Sequence, residues 1–465
     1  MKLSAFKEDT ICALATPLGP SAIGVVRTSG VKSLSILKAL CPNISKEIIS
    51  HKSFVSIAFD KKNEKLDQVL VTYFKDGSSY TGESSFEISC HGNPLILKNI
   101  LSRIIELGAR SAEKGEFTFR AFMNNKIDLV QAESVLSLIE SNSEKALKVS
   151  LRQLEGELSN QYEIMEAELI WCLAHIEASI DFSTEGLDII DNDVLVKKLS
   201  ALKFELDLQI KQFNQGQIIK NGLKVSLIGE PNVGKSSLLN LLVQKEKAIV
   251  TNVAGTTRDI IQADIQHQGL LFSFSDTAGL RETTDQVEKI GVAKSLDEAK
   301  SSDLNLIILD GSQQLPKKLL QDFFSEDSVF KKQKNIFLVN KSDLINDEQK
   351  YSIKSALENE YHNQILFVST FDQNSRENVF NFILQQFENL SFLDEAIVSS
   401  ARQIEMIQAS SEYIKSVIDE VNQGIGTEFI AQSLKEALLS IQKILGKHYD
   451  DQILDRVFKE FCLGK

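Results

Sequence analysis

A glycine-rich segment, GEPNVGKS over residues 229–236, lies between the apolar run KVSLI (224–228) and the leucine-rich run SSLLNLLV (236–243). This order is typical of a P-loop, in which glycines let backbone N–H groups face phosphates and the following helix N-terminus adds partial positive charge. We expect Lys235 to reach the β- and γ-phosphates of a nucleotide and Ser236 to offer its hydroxyl to Mg²⁺. The segment therefore predicts a nucleotide phosphate site.

Three further segments follow at spacings that suit the same nucleotide. Thr257 of GTTRD (255–259), in the loop after the P-loop helix, can complete the Mg²⁺ shell. DTAG (276–279) ends an apolar strand, so Asp276 can hold the Mg²⁺ shell and Gly279 can contact the γ-phosphate through its N–H. NKSD (340–343) also ends a strand, and the Asp343 carboxylate can accept hydrogen bonds from guanine N1 and N2, a pattern that adenine cannot supply. The four motifs in this order predict a GTPase.

Two positions depart from the pattern of common GTPases. Ser369-Thr370 stands where guanine nucleotide-binding proteins usually have Ser-Ala, which leaves the backbone of this loop to contact the base. Leu280 follows DTAG, where signalling GTPases carry a glutamine that orients the attacking water. Glu288 is the candidate for positioning that water, although on local sequence alone a solvated helix carboxylate is an equally good interpretation.

The elements that position these motifs alternate between strands and helices. Short apolar runs at 224–228, 270–275, 304–310, 335–339 and 365–369 leave room for helices between them, which predicts a parallel sheet covered on both faces over residues 221–380. Residues 1–122 read as strands broken by turns, with a helix near 94–108, and predict an α+β domain. The flanking segments 123–220 and 381–465 contain no proline and have helical periodicity. One long helix with a single buried stripe is expected from Leu147, Leu151, Leu154, Leu158, Tyr162, Met165 and Leu169.

Composition limits the class of protein. A chain of 465 residues with 43% hydrophobic and 25% charged residues is typical of a globular protein of about three domains and argues against a fibrous or disordered one. Five scattered cysteines without a CxxC pair give no zinc motif and indicate reduced thiols in the cytoplasm. No apolar run approaches about 18 residues, so no membrane contact is expected. With a net charge of −13, any nucleic acid must contact a local basic patch.

These motifs, together with stretches outside them, resemble the MnmE (TrmE) family of tRNA modification GTPases. The resemblance spans nearly the whole chain and rests on ATPLGPSAIGVVR, SYTGES, FEISCHGNP, GEFTFRAFMNNKIDLVQAE, GEPNVGKSS, TNVAGTTRD, DTAGLR, VEKIG and FCLGK. It implies a multidomain α/β and α fold. The expected parts are an N-terminal α+β folate-binding and dimerisation domain (1–122), a discontinuous helical domain (123–220 and 381–465) and an inserted Ras-like P-loop GTPase domain (221–380).

The resemblance also implies an activity and partners. The family forms a homodimer and works with an MnmG-like flavoprotein that uses FAD and NADH, in a heterotetramer. Together they add an aminomethyl-type group, such as carboxymethylaminomethyl, at C5 of the wobble uridine (position 34) of certain tRNAs. The carbon would come from a reduced folate, 5,10-methylene- or 5-formyl-tetrahydrofolate.

Individual roles follow from the same resemblance. The Mg²⁺ ligands match Ser236 and Thr257, and the catalytic glutamate matches Glu288. The K⁺ ligands match Asn232, Thr251, Val253 and Thr256, the last three partly through backbone carbonyls, and this K⁺ would occupy the place of an arginine finger. The folate contacts match Arg27, Glu87, Lys126 and Lys465. The GTP contacts match Asn232, Val233, Gly234, Lys235, Ser236, Ser237, Thr251, Asn252, Val253, Ala254, Gly255, Thr256, Thr257, Asp276, Thr277, Ala278, Gly279, Asn340, Lys341 and Asp343.

Two alternatives stay open at this point. The chain could be a GTPase switch in ribosome assembly or signalling, without a role in modification, although the residues before the GTPase segment contain no KH or RRM signature. In the active site, Arg258 or Arg281 could supply positive charge from within the chain in place of K⁺.

Overall fold

A computed structural model of the chain describes residues 9–44, 47–181, 191–243, 261–276, 299–317, 320–321, 334–361, 364–387, 397–449, 451–462 and 464–465. Contacts group the chain into two units. The first contains Met1–Ile139, Arg152–Asp207 and Glu405–Lys465, and the second contains Glu140–Leu151 and Leu208–Ile404. The domain boundaries given above remain a prediction.

A six-stranded sheet forms the N-terminal part of the first unit, in the order β3-β4-β5-β2-β1-β6. Neighbours are antiparallel except for β1 and β6. Helices α1 and α2 cover one face, because alternate strand residues such as Val69 and Val71 and helix residues such as Leu97 are apolar and buried. The elements are β1 (Ile11–Leu14), β2 (Ser21–Ser29), α1 (Ser33–Leu40), β3 (Ser53–Phe59), β4 (Lys65–Phe74), β5 (Ser85–Gly92), α2 (Pro94–Glu106) and β6 (Arg110–Ser111). The predicted α+β character is confirmed.

Helices make up most of the remaining chain on either side of the GTPase segment. They are α3 (Glu116–Met123), α4 (Leu129–Glu140), α5 (Glu144–Leu154), α6 (Glu157–Asp181), α7 (Asn192–Asn221), α11 (Ala401–Asn422), α12 (Thr427–Leu445) and α13 (Asp451–Lys459). The expectation of one continuous stripe from Leu147 to Leu169 is wrong. Gly156, with φ of +92°, separates α5 from α6, and Leu147 and Leu151 are 48% and 45% exposed.

A second six-stranded sheet forms the core of the second unit, in the order β12-β11-β10-β7-β9-β8. The predicted parallel strands are confirmed, and an antiparallel edge strand, β8, joins them through a hairpin with β9. The elements are β7 (Leu223–Ile228), α8 (Lys235–Val243), β8 (Ile261–His267), β9 (Leu270–Asp276), β10 (Leu304–Asp310), β11 (Lys334–Asn340), α9 (Asp347–Tyr361), β12 (Ile365–Phe367) and α10 (Asn374–Gln385).

Helix α5 also belongs to this second unit, although it precedes the GTPase segment in the chain. Its residues Ala146 and Val149 are buried in the same apolar cluster as Leu270. The backbone N–H of Lys145 donates to the Gly269 carbonyl at 3.0 Å, at the tip of the β8–β9 hairpin. Helix α5 therefore completes the core on this side of the sheet.

Within the described residues, no helix combines the length and the apolar character that a membrane crossing requires.

Candidate functional site

The P-loop connects the end of β7 to the start of α8. The backbone of Asn232 and Gly234 is left-handed, with φ of +67° and +101°, which curls the loop toward the helix N-terminus. Lys235 is buried, and its ammonium donates to the carbonyls of Gly229 at 2.8 Å and Glu230 at 3.0 Å. Ser236 and Ser237 lie exposed in the first turn of α8. The loop thus presents N–H groups, a cation and hydroxyls, which together can bind phosphate and Mg²⁺.

The base-recognition motif is fixed directly to the P-loop. The side-chain amide of Asn340 donates to the Val233 carbonyl at 2.8 Å, and both residues are buried. A Cβ atom on Gly234 would clash with the same amide, so only glycine fits there. The two loops that would hold the two ends of a nucleotide are therefore in direct contact.

Lys341 gives these loops a second connection. Its backbone is left-handed, and its ammonium donates to Asp310 Oδ2 at 2.6 Å and to the Asn232 carbonyl at 3.2 Å. Burial raises the pKa of Asp310, but hydrogen bonds from Lys341 and Ser312 outweigh this and hold the pKa below its usual value. Asp310 was not among the site residues predicted from the sequence. The available signal was its place at the end of the buried strand β10, beside the P-loop strand at the carboxyl edge of the sheet.

Asp343 lies in a short 3₁₀ turn, Ser342–Leu344, and is exposed. The N–H of Ser342 donates to the Val368 carbonyl at 3.0 Å, which places this turn beside the Ser369-Thr370 loop. The Asp343 carboxylate is therefore accessible to a guanine base at the predicted position.

Part of the predicted nucleotide site lies outside the described residues. Asp276 ends strand β9 beside Leu227 of β7, so its backbone is at the P-loop edge of the sheet, but its side chain is not described. Of the predicted Mg²⁺ and K⁺ ligands, only Ser236 and Asn232 lie within the described part of the chain. Outside it are Thr251, Asn252, Val253, Ala254, Gly255, Thr256, Thr257, Thr277, Ala278, Gly279 and the predicted catalytic residue Glu288.

In the first unit, three of the four predicted folate residues come together. Arg27 pairs with Glu87 at 3.1 Å across strands β2 and β5, and it also donates to the Gly464 carbonyl at 3.2 Å. The adjacent Lys465 accepts a hydrogen bond at its carbonyl from the Phe117 N–H at 3.2 Å. Burial and the Arg27 charge lower the pKa of the Lys465 ammonium, while Glu87 acts in the opposite sense.

Lys126, the fourth residue, lies against a different segment. Its ammonium donates to the Gly77 carbonyl at 2.8 Å, so it closes the loop that contains Tyr80. The Tyr80 hydroxyl donates to the buried Thr118 hydroxyl at 3.1 Å, one residue from Phe117. Lys126 is thus linked to the Arg27 cluster through this loop.

A buried ionic network holds helix α3, which contains Phe117. Glu116 is fully buried and accepts hydrogen bonds from Arg110 at 2.5 Å and Arg120 at 2.9 Å, and Arg120 also pairs with Asp9 at 2.6 Å. Burial raises the pKa of Glu116, but these arginines and the Glu113 N–H lower it below the usual value. The network therefore fixes the start of α3, and with it the backbone donor to Lys465.

Comparison with known proteins identifies the family. The MnmE helical domain model matches residues 129–462, and the TrmE N-terminus model matches residues 10–126. The tRNA modification GTPase MnmE of Bdellovibrio bacteriovorus is 44% identical over 98% of this chain and 98% of its own length. The MnmE of Pseudothermotoga lettingae is 37% identical over 98% of this chain and 100% of its own.

The chain belongs to the MnmE family of tRNA modification GTPases. Membership confirms the predicted family, its combination of an α+β domain, a helical domain and a P-loop GTPase domain, and the predicted GTP hydrolase. Among solved structures, the G domain of the FeoB iron transporter of T. maritima is 24% identical over 35% of this chain and 97% of its own length, with a TM-score of 0.28. Aquifex aeolicus Era is 21% identical over 41% of this chain and 66% of its own, with a TM-score of 0.29.

Proposed function

We propose that this GTPase couples K⁺-dependent GTP hydrolysis to modification of the wobble uridine of certain tRNAs, in which a reduced folate supplies one carbon. One chain of the MnmE family contains both a P-loop joined to a guanine-recognition loop and a cluster of Arg27, Glu87 and Lys465. This combination is the observation that supports the proposal. The joined loops suit GTP, and the cluster around Arg27 suits a polar ligand that has both hydrogen-bond donors and a carboxylate.

The described residues support a role in binding the nucleotide and in neutralising its charge. Lys235 can exchange its two loop carbonyls for phosphate oxygens, and the exposed N-terminus of α8 supplies N–H donors. Ser236 would hold Mg²⁺, which neutralises the charge that develops between the β- and γ-phosphates. Glu288 is proposed to position the attacking water, since Leu280 cannot, and Thr257 is proposed as the second side-chain ligand of Mg²⁺.

K⁺ is proposed to take the place of an arginine finger. Asn232 is exposed within the P-loop and carries a side-chain oxygen, and Thr251, Val253 and Thr256 are proposed to add oxygens around a large monovalent ion. We expect hydrolysis to rise steeply with K⁺ and much less with Na⁺ at matched ionic strength. Asn232→Ala should abolish the difference, whereas Asn359→Ala, a change of an exposed asparagine on α9, should retain it. Equal rates in the two salts with the wild-type chain would favour Arg258 or Arg281 instead.

The folate site is proposed around Arg27. The Nε atom of Arg27 is buried and has no hydrogen-bond partner among the described residues, and the Glu87 side chain is partly exposed, so the cluster retains capacity for a ligand. Glu87 can accept from the amino and N–H groups of a pterin, while Arg27, Lys126 and Lys465 suit a glutamyl carboxylate. Calorimetry with 5-formyl-tetrahydrofolate should show binding that Arg27→Ala removes and Arg103→Ala, a change in α2 of the same unit, leaves intact. Unchanged binding by Arg27→Ala would reject the site.

The proposed assembly is a homodimer that joins an MnmG-like flavoprotein using FAD and NADH, acts on tRNA in the cytoplasm and does not contact membranes. The deciding experiment is mass spectrometry of wobble uridines in a strain that lacks the gene, with and without a copy of it. Loss of a C5 aminomethyl-type group that the wild-type copy restores would support the proposal. Intact modification in the deletion strain would favour a GTPase switch in assembly or signalling.

A further inference from the structure

A cleft of about 870 Å³ lies in the second unit, at the edge of the sheet where the parallel strands begin. Lys224 is the second residue of β7, Lys334 is the first residue of β11, and Lys211 extends from α7. All three lysines line the cleft, together with Phe387 and many asparagine and glutamine side chains. The cleft therefore combines cations, hydrogen-bonding amides and one aromatic ring.

This cleft is separate from the nucleotide site. The P-loop follows the last residue of β7, whereas Lys224 stands near its first, and a strand advances about 3.3 Å per residue. The two sites are thus separated by roughly the length of the strand, on the order of 15–20 Å. A change in the cleft can therefore be tested without removing any group that contacts GTP.

The charge of the cleft is opposite to that of the whole chain, whose net charge is −13. Asp303 is the only acidic residue among the described residues that line it, and its carboxylate accepts the backbone N–H of Lys224 at 2.9 Å. The ammonium of Lys211 makes no ion pair or hydrogen bond within the described ranges. Lys334 donates to the Gln386 carbonyl and lies over the Phe387 ring at 4.3 Å, which holds this cation at the cleft wall.

Strand order also sets the spacing of the lysines. Strand β10 lies between β7 and β11, so the backbones of Lys224 and Lys334 are about 10 Å apart, twice the distance between neighbouring strands. Separated cations in a cleft that is also lined by amide side chains suit a chain of phosphates better than a single small anion, because protein contacts to nucleic acid backbones come largely from lysine, arginine and amide side chains.

We propose that the cleft lined by Lys211, Lys224 and Lys334 binds the phosphodiester backbone of tRNA. The inference rests on the proposed role in tRNA modification and specifies where an acidic chain can hold its RNA. Because the net charge of the chain is −13, a polyanion requires a local basic surface to bind, and this cleft supplies one.

The test measures binding of a fluorescently labelled, unmodified tRNA transcript to the full chain by anisotropy, over a series of salt concentrations. The triple variant Lys211→Gln, Lys224→Gln, Lys334→Gln should lower the magnitude of the slope of log K against log salt by about two to three, since each lost phosphate contact removes about 0.7–0.9. At 0.1 M salt this corresponds to a loss of affinity on the order of 10²-fold. Hydrolysis of GTP without tRNA should remain unchanged.

A matched control removes the same charge elsewhere in the unit. Lys317→Gln, Lys350→Gln, Lys354→Gln changes three other lysines, two of which are on α9, and should lower the slope much less. Replacement of the three cleft lysines by arginine should restore tRNA binding, which separates loss of charge from loss of packing. Competition with single-stranded DNA of equal length tests for a preference for tRNA, and competition with poly-glutamate tests for an acidic peptide.

Three results of these binding experiments would overturn the inference. Equal slopes for the cleft variant and the control overturn the inference, as does a wild-type chain that binds no tRNA at 50 mM salt. Displacement of tRNA by DNA or by poly-glutamate at equal charge concentration also overturns it, in favour of non-specific nucleic acid binding or a protein partner. In each case the analysis of wobble uridines still decides the proposed function separately.

Discussion

Replacement of Asp310 by asparagine tests whether this buried carboxylate holds the guanine-recognition loop in place. The Asp310 side chain is only 3% exposed, and it accepts hydrogen bonds from Lys341 at 2.6 Å and from both the N–H and the hydroxyl of Ser312, at 3.0 and 2.6 Å. Asparagine can keep the Ser312 contacts through its oxygen. Its NH₂ group would then face the Lys341 ammonium, so two donors would oppose each other.

The expected magnitude follows from the contact that is lost. A hydrogen bond to a charged group contributes about 1.5–3 kcal/mol. The Lys341 side chain is 32% exposed, so water compensates part of the loss and leaves about 1–2 kcal/mol. The released lysine must be ordered again when nucleotide binds, so this free energy appears as weaker binding, by about 5- to 30-fold.

Titration of the full chain with fluorescently labelled GDP measures this effect. The matched control is Asp347→Asn, the same chemical change at a fully exposed aspartate in the first turn of α9. A thermal melt of each variant shows whether the fold is intact. If Asp310→Asn binds GDP as tightly as Asp347→Asn, then Asp310 does not position Lys341 and the reasoning is refuted.

Three further predictions concern other residues. Asp343→Asn should weaken GTP binding by about tenfold or more, because the guanine N–H groups lose their carboxylate acceptor in the complex, and an unpaired polar group there costs about 1–3 kcal/mol. The variant should gain xanthosine nucleotide binding, and equal GTP affinity in a titration would contradict the assignment. Glu288→Ala should lower the hydrolysis rate by roughly 10²–10⁴ with little change in nucleotide affinity, and a near-normal rate would return Glu288 to a solvated carboxylate. The lowered pKa values of Asp9 and Glu116 predict that stability is fully present above their ordinary pKa and is lost as pH falls through the folded values. Urea unfolding at pH 7 and at pH 2.5, which is well below both ordinary values, should show this loss in the wild-type chain. Glu116→Gln should be less stable at pH 7 by about 3 kcal/mol and less dependent on pH, whereas an unchanged pH profile would exclude a role for the network.

The nucleotide site was predictable where its signal is local in sequence. The P-loop and Asn340-Lys341-Ser342-Asp343 are short motifs whose residues act through the turn that they occupy, so spacing alone identifies them. Asp310 was missed because its partner, Lys341, directly follows the neighbouring strand β11, and the parallel pairing of β10 with β11 brings the two residues together. The position of Lys126 beside Gly77 is equally non-local and could not be predicted from spacing.

The fold, too, was predictable from the sequence only in part. The parallel strands read as continuous apolar runs because both faces are buried, and these were found from sequence. Strand β8 alternates instead, with Ala263 and Ile265 buried and Gln266 exposed, as an antiparallel edge strand does, so a search for continuous runs missed it. The helix break at Gly156 was missed because the leucine spacing continues across it, although a glycine there was visible.

The contribution of helix α5 to the second sheet has a consequence for how this protein can be dissected. Excision of residues 221–380 would follow the boundaries of the GTPase motifs, yet it would strip away Ala146 and Val149 and leave the Gly269 carbonyl without the N–H of Lys145. The excised piece would expose apolar surface that the full chain buries. The hydrophobic core of the GTPase is therefore closed in part by a helix encoded upstream, and a fragment that keeps this core intact includes both sequence segments.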